Sequence, residues 1–130
     1  MNEIKHASET SLPEHKMALS TKRQKDIAKA LTLLLPGAPY SDAEAIRQLA
    51  AKRQYKKLPA STSLWLAAVA HIRHVHTDYD ALLDDGYDQA SARHFALEPI
   101  NNVLTEWRAT RFLDPEESGD EALADGEENG

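Results

Sequence analysis

The 130 residues, 42% of them apolar, suit one domain with a modest core, and the absence of cysteine excludes disulfides and thiolate metal sites. No apolar run approaches the roughly 20 residues that span a bilayer, and the N-terminus lacks the apolar core of a signal peptide, so a cytoplasmic protein is expected. The net charge of −6 conceals an asymmetry: residues 114–130 hold eight acids and no base, which leaves 13 acids against 15 bases in the rest.

Residues 1–19 are polar, show no period and read as a flexible arm. Helix one is expected from Thr21 to Leu35. Thr21 with Gln24 fits a capping box, and Ile27, Leu31 and Leu34 form one apolar stripe. Pro36-Gly37-Ala38-Pro39 ends it. Helix two opens on a Ser41–Glu44 capping box, turns Ile46, Leu49 and Ala50 inward, and runs out in the basic stretch 52–57. Pro59 and Ser61 open helix three, about 61–76, where Trp65, Ala68, Val69, Ile72 and Val75 make a face broad enough for burial. Thr77–Asp80 starts a short helix four with Leu82 and Leu83 inward, and Gly86 ends it in a left-handed conformation. Asp88 caps helix five, whose inner face holds Ala92, Phe95, Ala96, Ile100, Val103, Leu104 and Trp107. Pro99 is expected to kink or split that helix near Leu97–Glu98. No strand is evident. The expected fold is all-α, a compact bundle of four to five helices over residues 20–113. The acidic tail, 114–130, is too polar to offset its ordering entropy and should be disordered.

The densest cluster of ionisable groups is His71-Ile72-Arg73-His74-Val75-His76-Thr77-Asp78-Tyr79-Asp80. On an uninterrupted helix His71, His74 and Asp78 share a face and would offer two imidazoles and a carboxylate to a divalent metal. Against this, Thr77 resembles a helix start, and histidines at a helix C-terminus are accounted for by its dipole. His76 falls in the apolar stripe, either as a buried base or as a core histidine bonded to a carbonyl or carboxylate. Thr77, Asp78 and Asp80 are accounted for as a helix cap, with paired carboxylates for acid–base work as the alternative, for which no second signature is present. Arg93 falls on the inner arc of helix five and needs a partner, and a structural ion pair with Asp78 or Asp80 is expected to supply it.

From Ala45 to Thr77 the chain has no acid. Arg47, Lys52, Arg53, Lys56 and Lys57, with Arg73 and His74 at the His/Arg corner, would contact nucleic acid or an acidic protein. Tyr55 would stack on a base. A solvated linker explains the same band. The acidic tail can compete for this surface in cis, and folding of the body should not depend on it. Walker, dinucleotide, His-Glu-x-x-His and Gly-x-Ser-x-Gly motifs are all absent. The favoured reading is therefore a non-enzymatic binding module without a cofactor. The alternatives are a metal-binding domain or metal-dependent enzyme using His71, His74 and Asp78, and a protein–protein interaction domain using helix five.

Leu34-Leu35-Pro36, Ala43–Ile46, Trp65-Leu66, the run Ala70–Leu83, Gly86-Tyr87-Asp88, Ala92-Arg93, Ile100-Asn101, Val103-Leu104 and Trp107 together resemble an uncharacterised bacterial family catalogued as domain of unknown function 2293. Its most specific element is Arg73-His74-x-x-Thr77-Asp78-Tyr79-Asp80 followed by Ala92-Arg93. The resemblance covers about residues 34–108 and implies a genuine domain, with no activity, cofactor or catalytic residue to carry over.

Overall fold

α3 (Ala60–His76) is buried on all sides over seven consecutive residues, Ser63 to Val69, and the other helices are arranged around it. These are α1 (Glu14–Leu34), α2 (Tyr40–Ala50), α4 (Tyr79–Asp84) and α5 (Gln89–Glu106), with a 3₁₀ turn at Arg53–Tyr55. The computed structural model describes residues 14–117, with side chains from Lys22 onward. The arm up to residue 13 and the tail from 118 lie outside the described residues. α3 packs against α1, α2 and α5, and α5 also holds α4. Ile27, Ile46, Leu64, Val69, Ile72, Ile100 and Leu104 form a continuous core, which small side chains such as Ala67, Ala68, Ala92 and Ala96 allow to close tightly. Among the described residues the structure is all-helical, with no strand and no helix long and apolar enough to cross a membrane.

Several expected helix starts are corrected. α1 begins at Glu14, so Thr21 lies inside it and the Thr21–Gln24 box does not open it. α2 and α3 begin after Pro39 and Pro59, and neither uses a side-chain cap. Each proline fixes φ near −60°, which presets the chain for the first turn and makes a Ser41 or Ser61 cap unnecessary. Glu44 turns to Arg47 and Gln48 instead. At the α3/α4 corner Thr77 serves both helices: its hydroxyl donates to the Arg73 carbonyl at 2.5 Å and accepts from the Tyr79 N–H at 3.1 Å. Asp88 caps α5 as expected, accepting from the Ser91 N–H at 2.7 Å.

α5 runs unbroken through Pro99 rather than splitting. The proline forfeits the hydrogen bond to the Phe95 carbonyl, on the face of the helix turned to solvent, where that loss costs least. Phe95 itself is 54% exposed and stacks edge-on with Tyr87 and His94 at the surface, and Val75 is 60% exposed. Neither belongs to the core expected of it.

After α5 the chain folds back onto the bundle. Gly37 N–H donates to the Trp107 carbonyl at 2.8 Å, and Thr110 N–H to the Leu34 carbonyl at 3.0 Å. Asn101 pins buried Leu113 through two bonds to its backbone. Glu117 then accepts from the Trp65 indole N–H at 3.0 Å and pairs with Arg111 at 2.5 Å. The first residues of the acidic stretch are therefore docked on the body.

Candidate functional site

Asp42 occupies the first turn of α2, and the packing of α2 on α3 brings it to the last turns of α3. There His71 Nε2 and His76 Nε2 each lie 2.7 Å from Asp42 Oδ1. The Asp42 and His71 side chains are 13% and 12% exposed, while His76 is 33% exposed. The two imidazoles meet edge to face at 5.9 Å, and His76 stands edge-on to Trp107 at 5.7 Å. Partial burial pushes the Asp42 carboxyl up, but hydrogen bonds from His71 and His76 outweigh it and hold the carboxyl below the usual aspartate value.

The histidines and acids of the 71–80 cluster are therefore divided differently from the sequence expectation. His74 leaves His71 and pairs with Asp80 at 2.7 Å, in a surface contact that also touches the Tyr79 ring at 5.6 Å. Asp78 stands exposed at the start of α4. The structure does not bring His71, His74 and Asp78 together, because α3 ends at His76 and the extended Thr77 breaks the helical register. His76 is not in the core; it turns to the carboxylate on the neighbouring helix. Nothing near His71 in sequence signals Asp42, whose position in the Ser41–Glu44 run suggested a cap.

A second feature lies between α3 and α5. Arg73 is 2% exposed, and its guanidinium sits 5.3 Å from the centroid of the buried Tyr79 ring. Arg73, Arg93 and His94 line one groove with Leu97, Leu113 and Glu117. Among the described residues no ion pair joins Arg93 to Asp78 or Asp80; the Asp80 carboxylate answers His74, and Arg93 is one of the residues lining the groove.

The basic band does not form one surface. Arg47 is engaged by Glu44, which raises its pKa. Lys52, Arg53, Lys56 and Lys57 are exposed on the α2–α3 connection, where the 3₁₀ turn replaces a shared helix face. Tyr55 is 1% exposed and cannot serve as a stacking platform. Arg73 and His74 lie at the far end of α3, roughly 20 Å along the helix axis from its start.

Sequence reasoning also missed Arg23. Its guanidinium donates to the Tyr55 and Leu58 carbonyls and to Ser63 Oγ, so it holds the α2–α3 connection onto α1. A lone arginine among polar residues gives no such signal in sequence.

No curated protein and no solved structure matches the chain. The family model described as uncharacterized conserved protein (DUF2293) matches residues 30–108. That span runs from the end of α1 to the end of α5 and contains the Asp42–His71–His76 cluster and both groove arginines, while Arg23, Arg111 and Glu117 fall outside it. The chain belongs to the DUF2293 family.

Proposed function

We propose that the protein is a cytoplasmic, non-enzymatic binding module that meets an acidic protein segment through the exposed cations of the α2–α3 connection, Lys52, Arg53, Lys56 and Lys57. The carrying observation is that these four cations are exposed within six residues, in a stretch from Ala45 to Thr77 that holds no acid, on a connection that Arg23 fixes to α1. Ammonium and guanidinium groups donate charge-assisted hydrogen bonds to carboxylates, and a connection fixed in advance loses less entropy on binding. Nucleic acid is the less favoured partner, because a phosphate backbone is best met by a continuous basic surface with exposed aromatic groups. Here Arg47 is engaged by Glu44 and Tyr55 is buried.

The test is binding of a labelled Glu/Asp-rich peptide and of mixed-sequence single-stranded RNA to the full chain, from about 50 to 200 mM salt. The peptide is expected to bind, to weaken as salt rises, and to lose at least about fivefold in affinity in the double variant Lys56→Gln, Lys57→Gln. Equal binding by wild type and the Lys56→Gln, Lys57→Gln variant, or tighter binding of RNA than of peptide, would overturn the reading.

A further inference from the structure

We propose that Asp42, His71 and His76 form a binding site for a first-row divalent transition-metal ion of the zinc class, independent of the basic α2–α3 connection. Two imidazole nitrogens and a carboxylate oxygen are the donor set that such ions take, whereas magnesium and calcium prefer oxygen ligands throughout. The three donor atoms lie within 4.8 Å of one another.

The spacing fits an ion with little rearrangement. A tetrahedral ion with bonds of about 2.0–2.1 Å holds its ligand atoms roughly 3.3 Å apart. Each Nε2 is now 2.7 Å from Asp42 Oδ1, so admitting the ion requires a retreat of roughly half an ångström by each ring. His76 can yield most readily, since it is the last residue of α3 and a third of its side chain is exposed. That exposure also leaves a fourth coordination position open to water or to a ligand atom.

The convergence is not a by-product of helix register. Residues five apart on an α-helix point about 140° away from each other. Both rings nevertheless turn to a single oxygen on a neighbouring helix, where one imidazole N–H would already satisfy it. In the structure that oxygen accepts from two imidazole N–H groups at once. A divalent cation replaces both donors when each imidazole carries its proton on Nδ1 instead of Nε2.

Trp107 supplies an internal reporter, because its ring lies 5.7 Å from that of His76. The full chain, stripped with a chelator and dialysed, is titrated with zinc by calorimetry and with cobalt(II) by visible absorption and tryptophan fluorescence. Wild type should bind one ion per chain, melt at a higher temperature with zinc, and show cobalt d–d bands with quenching of Trp107. His76→Gln, a change at a partly exposed position, should weaken zinc binding at least about tenfold, while His74→Ala leaves it unchanged. Absence of saturable binding, wild-type affinity in His76→Gln, or an equal loss in His74→Ala would overturn the proposal. Asp42→Asn provides a second check: zinc should raise its melting temperature much less than it raises that of wild type, and an equal rise would also refute the site.

Discussion

Arg23 Nη2 lies 2.9 Å from Ser63 Oγ, a contact that ties α1 to the buried start of α3. The same guanidinium donates to the Leu58 carbonyl at 2.8 Å and the Tyr55 carbonyl at 3.0 Å, and Ser63 also donates to the Tyr55 carbonyl at 3.0 Å. These bonds hold the irregular connection between α2 and α3 and keep Tyr55 in the core. Arg23→Met retains the apolar stem and removes every donor. The three acceptors then lose charge-assisted bonds in a partly buried setting, and the expected cost is about 2–4 kcal/mol. Urea denaturation measures it, and an unchanged midpoint would show that the clamp contributes nothing.

Two helices end in the same hydrogen-bond motif with different residues at the left-handed position. After α4, Gly86 has φ 103°, and the Gly86 and Tyr87 N–H groups return to the Leu83 and Leu82 carbonyls. After α5, Arg108 has φ 56°, and the Arg108 and Ala109 N–H groups return to the Thr105 and Leu104 carbonyls. A Cβ added at Gly86 meets nothing within 4 Å, so the cost of Gly86→Ala is conformational alone, about 1 kcal/mol. Arg108→Gly relieves the same strain and should stabilise by roughly 0.5–1 kcal/mol. Thermal melts should move in opposite directions for the two variants, and a loss of stability in Arg108→Gly would contradict this account.

Apolar periodicity and local capping made much of the fold legible. The five helices, the Asp88 cap and the Gly86 terminus all depend on residues within a few positions of one another, which is the range over which a helix pattern carries information. The contacts that define the site span longer distances. Asp42 is brought to His71 and His76 by the way α2 crosses α3, and no local pattern encodes that crossing. Phe95 and Val75 show the same limit: a wide apolar arc identifies the inner side of a helix but not which of its residues a neighbour covers. Tyr55 looked available because its neighbours are lysines and arginines, yet its ring is the most buried part of the connection.

Glu117 tests how far the acidic stretch is part of the folded body. Its carboxylate takes the Trp65 indole N–H at 3.0 Å and the Arg111 guanidinium, which itself lies 4.0 Å over the Trp65 ring. The expectation that folding is independent of the acidic stretch therefore holds at most beyond this residue. Glu117→Ala should cost about 1 kcal/mol and shift Trp65 emission to the red, because the indole N–H turns from a fixed acceptor to water. Glu117→Gln keeps an acceptor and should retain most of the native emission. Identical spectra for wild type and the alanine variant would show that the contact is not populated in solution.

Asp88 gives the fold a pH dependence that can be isolated. The Ser91 backbone N–H donates to its carboxylate at 2.7 Å, and that bond, with a further contribution from the Ser91 side chain, lowers the carboxyl pKa below the usual 3.8. Because the folded value lies below the unfolded one, the stabilisation is fully present above the unfolded pKa and is lost as pH falls through the folded pKa. Asp88→Asn keeps an oxygen acceptor at the cap but cannot ionise. Near neutral pH the variant should be slightly less stable than wild type, since it lacks the negative charge at the helix N-terminus. As pH falls below about 4 the difference should shrink and then vanish or reverse, because wild type alone takes up a proton at this position. The difference between the two urea midpoints cancels the shared contributions of Asp42 and Glu44, whose carboxyls are also depressed. A difference that stays constant down to about pH 3 would show that the Asp88 carboxylate is not preferentially held in the folded state.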